Sequence, residues 1–174
     1  MTNGSEPIGT GEGASARGGD FGALNRAPGP LAAIDPAALA GLRALYAALA
    51  AELAVLAPRC ELSGRCCNFP ASGLTLFSTD LELAHLAATA SLRADGDESL
   101  CPWWEKGLCT ARDGRPLGCR VYFCDASKAA ELEALSERYH ARLKRLHVEF
   151  GVSYLYAPFV RRVRELAQMA RAAR

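Results

Sequence analysis

Residues 101 to 124 read CPWWEKGLCTARDGRPLGCRVYFC, four of the chain's seven cysteines in a segment where Pro102, Gly107, Gly114, Pro116 and Gly118 forbid any long regular element. The other three, Cys60, Cys66 and Cys67, lie in a second break between apolar runs, with 33 residues between Cys67 and Cys101. The full spacing is Cys60-x5-Cys66-Cys67, then Cys101-x7-Cys109-x9-Cys119-x4-Cys124. A chain built this way must organise two irregular loops around something other than a continuous apolar core.

The flanking sequence is helical. Asp35-Pro36 supplies an N-cap residue and a proline at the first helical position, where a missing N–H costs nothing. Leu39, Leu42, Tyr46, Leu49, Leu53 and Leu56 follow in steps of three and four, and Pro58 closes the run. Leu74 to Phe77 is short and β-compatible, and Thr79-Asp80-Leu81-Glu82 has the form of a capping box opening a second helix to about residue 92. From Ser127 a third stripe runs through Leu132, Leu135, Tyr139, Leu143, Leu146 and Phe150 until Gly151 stops it. Pro158 opens a last, basic helix. Residues 1–30 hold eight of the sixteen glycines and three of the nine prolines with few large apolar side chains, the composition of a disordered tail. The expected architecture is mostly α: one small helical domain, residues 31–174, in which an irregular, loop-rich cysteine cluster staples two long amphipathic helices.

Three chemistries compete for the cysteines. Disulfides need an oxidising compartment, and neither the odd count nor the N-terminus, which lacks a basic segment followed by an apolar one, supports them. Buried free cysteines act as small hydrophobes within helix or strand patterns, whereas these sit among Gly, Pro and Arg. Metal ligation explains both residue type and setting, because soft thiolates bind zinc or iron and turns bring remote residues to one point. The interleaved Arg65, Arg112, Arg115 and Arg120 offer N–H donors that offset thiolate charge. No pair of CxxC knuckles and no CxxCxxC run is present, so the common zinc ribbon and the small ferredoxin are both excluded.

The runs CELSGRCCNFP and CPWWEKGLCTARDGRPLGCRVYFC resemble the YkgJ-like cysteine-cluster family, a zinc- or iron-chelating domain with a CxxCxxCC start and an RPxxCRxyxC end. The likeness covers residues 60 to 124 and leaves the flanking helices out. Cys101-Pro102, Gly107-Leu108-Cys109 and Arg115 through Cys124 follow the family order, while Ser63 replaces its second cysteine and Ala111-Arg112 stands where an Ile-Tyr pair is common. The resemblance implies Cys60, Cys66, Cys67, Cys101, Cys109, Cys119 and Cys124 as ligands of zinc or iron, an iron–sulfur cluster included. Arg115 and Arg120 are the expected charge partners. Ser63 leaves open whether there is one complete four-thiolate site or two that share or lack a ligand.

Other features bound the function. His85, His140 and His147 read as histidines at the edges of helix stripes, and Trp103 and Trp104 as anchors covering loops. Asp80, Glu82, Glu98 and Glu105 show no acid–base pairing, and no phosphate loop, nucleophile elbow or dinucleotide fingerprint occurs. Glu52 interrupts the richest apolar run, so membrane insertion is not expected. Residues 138 to 174 carry nine of the twenty Lys+Arg against Glu149 and Glu165, which is read as a solvated helix face ahead of a nucleic-acid surface. A cytoplasmic metal-binding protein is the leading expectation, and the excess of Arg over Lys suits a bacterial source. Its rivals are a redox or modifying enzyme with an iron–sulfur or open metal site, since flagellin lysine N-methylases carry a similar cluster, and an adaptor with a structural zinc and a basic C-terminal surface.

Overall fold

A computed structural model describes residues 31–93, 95–97 and 99–172; the expected tail, residues 1–30, lies outside the described residues. Asp35 accepts a 2.8 Å hydrogen bond from the Ala37 N–H and opens α1, Pro36–Leu56. Ala57, in the left-handed conformation, returns its N–H to the Leu53 carbonyl and ends it. The buried face holds Ala38, Leu42, Leu45, Tyr46 and Leu49: of the expected stripe Leu42, Tyr46 and Leu49 are buried and Leu39, Leu53 and Leu56 half-buried, with Ala38 and Leu45 added. Across it lies α5, Ala129–Glu149, which buries Leu132, Leu135, Tyr139 and Leu143. Most of these side chains meet in one apolar cluster.

By length and composition alone α1 is long and apolar enough to cross a membrane even with Glu52 in it, a test that a core helix also passes. Glu52 is tied into the fold: it accepts a 2.7 Å hydrogen bond from the Tyr139 hydroxyl and pairs with Arg138, both on α5.

The capping box is present as expected. The Thr79 side chain accepts from the Glu82 N–H while the Glu82 carboxylate accepts from the Thr79 N–H, opening α3, Asp80–Thr89, three residues shorter than expected. Just before it, β1, Phe77–Thr79, pairs antiparallel with β4, Tyr156–Pro158, in the register Ser78 opposite Ala157. This two-stranded pairing delivers the chain into α6, Phe159–Ala172. A second apolar cluster forms where α3 and α6 meet the cysteine loops: Leu83, Leu86, Trp103, Phe159, Val163 and Leu166 pack with Cys67 and Cys101.

Within the irregular segments stand three short elements: α2, Phe69–Ser72; the hairpin β2, Trp104–Glu105, with β3, Leu108–Cys109; and α4, Leu117–Val121. The mostly α fold with a loop-rich cysteine cluster is therefore what the chain adopts.

Candidate metal centre

Backbone bonds bring the two cysteine groups together. Gly64, at φ +69°, turns the first loop into a 3-10 turn, Arg65–Cys67, and a Cβ there would sit 2.4 Å from the Gly107 carbonyl oxygen and 2.6 Å from Trp104 Nε1. Only glycine allows that loop to lie against the β2–β3 hairpin. The Cys101 N–H donates to the Cys67 carbonyl at 3.0 Å, beside a bridge between Asn68 and Leu100, so those two cysteines become neighbours across 33 intervening residues. In the hairpin Cys109 stands opposite Trp104, and α4 presents Cys119. The Arg59 N–H donates to Asp125 Oδ2 at 3.0 Å, which fastens the loop carrying Cys60 to the segment carrying Cys124.

All seven cysteines are free thiols, and all seven line one cavity of about 150 Å³. They are not equivalent there. The thiols of Cys101, Cys109 and Cys66, as hydrogen-bonding neighbours, push the Cys67 thiol up. Its hydrogen bonds lower the others: Cys66 and Cys109 each fall to about 6, and Cys101 also lies below the ordinary thiol value. Burial pushes the Cys119 thiol up, with the neighbouring Cys101, Cys109 and Cys66 adding to the effect. Among the described residues no three Cys, His, Asp or Glu side chains already stand in the arrangement of a metal site.

The donor set fits a thiophilic cation. Arg112 and Arg115 line the cavity with the thiols, and among the described residues no carboxylate or imidazole does so. Arg115 Nε donates to the Arg112 carbonyl at 3.1 Å, which leaves both guanidiniums at the cavity wall. Arg120 is turned the other way. Its guanidinium lies 3.9 Å from the centre of the Tyr46 ring, and Nε donates to the Arg115 carbonyl at 2.7 Å. Of the two arginines expected at the site, Arg115 lines it, and Arg120 clamps the loop behind it. Trp103, 2% exposed, is both core anchor and cavity wall, and Nε1 of Trp103 and of Trp104 are buried without a hydrogen-bond partner. Ser63 also lines the cavity.

One residue that sequence reasoning assigned only to a helix cap supports the whole site. Glu82, 1% exposed, accepts hydrogen bonds from the Tyr46 hydroxyl at 2.9 Å and the Leu117 N–H at 2.7 Å on one oxygen, and from Thr79 on the other. It thus joins α1, β1 and the start of the cysteine-bearing α4. Burial raises its carboxyl above the usual range in spite of these donors. The capping-box spacing marks Glu82 in the sequence, but its second oxygen finds partners far along the chain.

The histidines are not at stripe edges throughout. His147 is fully buried, its Nδ1 facing the Val152 and Ser153 carbonyls at 3.2 and 3.1 Å, and His85 is buried with Nε2 against the Asp113 carbonyl at 3.1 Å. His140 meets the Tyr154 hydroxyl at 2.6 Å. The basic C-terminal face is likewise engaged. Arg162 is buried in a two-pronged pair with Asp80, both contacts 2.8 Å, Arg161 pairs with Glu165, and Arg164 donates to the Gly96 and Asp97 carbonyls.

Compared with known proteins, the chain matches no family model, no curated protein and no solved structure.

Proposed function

We propose that the protein binds zinc or iron, as a single ion or an iron–sulfur cluster, through Cys66, Cys67, Cys101 and Cys109. The observation that carries this reading is the convergence of seven thiols from two remote segments on one cavity with two arginines and, among the described residues, no carboxylate. Thiolate donors select soft or borderline cations over magnesium or calcium. Four thiolates around a divalent cation leave two negative charges, and Arg112 and Arg115 supply the two positive charges that offset them. A second full site in the same cavity has no such compensation. The resemblance to the YkgJ-like family points to the same chemistry from the cysteine spacing. Reduced thiols suit the cytoplasm, which is the proposed location.

Metal analysis of protein purified without oxygen tests this. About one equivalent of zinc or iron is expected from the tight binding of such sites, and less than about half an equivalent of the two together defeats it. An enzymatic reading is the second one, favoured by the cavity itself: apolar walls from Leu86, Trp103 and Phe159 surround space beside the thiols. A visible band that bleaches on reduction supports a redox centre there, and a colourless zinc protein counts against it. For the adaptor reading, Arg162 is withdrawn from the basic surface by its buried pair with Asp80, while Arg138, Lys144, Arg145 and Arg161 remain exposed.

A further inference from the structure

The mouth of the cysteine cavity holds apolar side chains in water. Leu62, 60% exposed, Leu108, 54% exposed, and Tyr122, 38% exposed, all line the cavity, and they are three of the seven large apolar side chains that stand exposed among the described residues. Single exposed leucines are ordinary, but three at one opening form a patch. The backbone is strained to present them. Leu62 lies at φ +52°, and Lys106, in the hairpin turn just before Leu108, at φ +49°. Side chains other than glycine are strained in that left-handed region, and strain of this kind is retained at functional positions. The two loop tips also touch, since a Cβ on Gly64 would lie 2.4 Å from the Gly107 carbonyl oxygen.

The charge around this mouth is positive. Arg65 stands between the cavity-lining Gly64 and Cys66, and Lys106 beside the cavity-lining Gly107. Both are exposed, and neither belongs to an ion pair among the described residues. The carboxylates of the same segments are mostly engaged: Glu61 pairs with Arg59, Glu105 with Arg93, and Asp125 accepts from the Arg59 and Ser127 N–H groups. Asp113 alone remains to set against the two cations.

We propose that the mouth is a docking face for a protein partner, which seats an acidic segment bearing leucine or aromatic side chains over the cavity. Leu62 and Leu108 are each more than half exposed, and a molecule that fits inside about 150 Å³ leaves most of that surface uncovered. Covering it takes a larger body. A flat lipid surface would bridge the cavity and leave a void beneath, whereas a protruding side chain fills it at the packing density of an interface. Arg65 and Lys106 select carboxylates on the arriving segment and speed the encounter. The inference goes beyond the metal-binding reading and does not require it.

The test uses the full chain, purified without oxygen, and the fluorescence anisotropy of short labelled peptides. One carries Asp and Glu with Leu and Phe at helical spacing, a second has Lys at every acidic position, and a third has Ser at every Leu and Phe. The first is expected to bind about tenfold or more tightly than either of the others, since both charge and apolar contact are required. In Leu62→Gly/Leu108→Ser its binding should weaken by about tenfold or more. Melting temperature should hold in that variant, because glycine relieves the strain at φ +52°. Arg65→Glu/Lys106→Glu should turn the preference toward the lysine peptide. Equal affinity for the acidic and basic peptides overturns the proposal, as does unchanged binding in the leucine variant or no binding of the first peptide at about 1 mM, weaker than a transient interface. Binding to phosphatidylserine vesicles that the same variants abolish, without peptide binding, assigns the face to lipid and also overturns it. A chain that carries no zinc or iron yet binds the acidic peptide defeats the metal-binding reading alone, whereas normal loading without peptide binding defeats the docking face alone.

Discussion

The two halves of the molecule are held together by different physics. Where α1 meets α5, leucines and tyrosines at helical spacing pack on one another, and burial of apolar surface is sufficient reason for the structure. Where α3 and α6 meet the cysteine loops, apolar side chains share the interior with thiols, a buried ion pair and indole N–H groups without partners. The first half is complete as it stands. The second buries polar groups among its apolar side chains, so burial of apolar surface alone does not account for its arrangement.

Metal removal is expected to separate the halves most sharply. A strong chelator should abolish hydrogen-exchange protection around Cys67, Cys101 and β2–β3, since structural zinc sites contribute roughly 10 kcal/mol or more in small domains. Protection in α1 and α5 should persist, and simultaneous loss in both halves breaks the comparison. Next in size is Arg162→Met, which strands the Asp80 carboxylate in the interior and should cost about 3–5 kcal/mol in denaturant unfolding. Leu143→Ala, on the leucine side, should cost about 2–5 kcal/mol, by the same amount with and without chelator. A chelator-dependent cost there contradicts the division.

Smaller effects sharpen it. Glu82→Gln replaces one accepting oxygen with an amide that cannot accept from Thr79 or from Leu117 and Tyr46, at a cost of about 1–3 kcal/mol. Because Leu117 directly follows Arg115-Pro116, which line the cavity, metal affinity should fall in this variant as well, and titration with zinc reads it. The smallest effect is in pH. Burial holds His147 below the ordinary histidine value, so its folded form stays neutral where the unfolded chain takes up a proton. Its contribution is fully present above the unfolded value of about 6.5 and is lost as pH falls below that. Melting temperature should drop between pH 7 and pH 5, with a shallower drop in His147→Gln; equal slopes in the two proteins remove His147 as the cause.

What the sequence disclosed follows the same division. The α1 stripe, the Thr79–Glu82 box and the α5 stripe are legible because each is set by neighbours three or four residues away. The placing of the cysteines between the long helices is legible for the same reason, although Cys109 lies in β3 and Cys119 in α4. The bridge from Cys67 to Cys101, the reach of Glu82 to Leu117 and the burial of Arg162 on Asp80 are contacts between distant segments, with no local periodicity to announce them. Arg162 in particular sits in a run of basic residues that reads as surface. Arg120 was placed near thiolates by its position beside Cys119, yet α4 turns its side chain to Tyr46. The two three-residue strands are too short to carry a pattern, and their pairing depends on the fold around them.

The central claim is that Cys66, Cys67, Cys101 and Cys109 form a single metal centre, and X-ray absorption at the zinc or iron edge of anaerobically purified protein tests it most directly. The account expects a first shell of sulfur alone, four neighbours at about 2.3 Å for zinc, and its loss in Cys67→Ser. A shell of nitrogen and oxygen, or a sulfur shell unchanged in that variant, contradicts it.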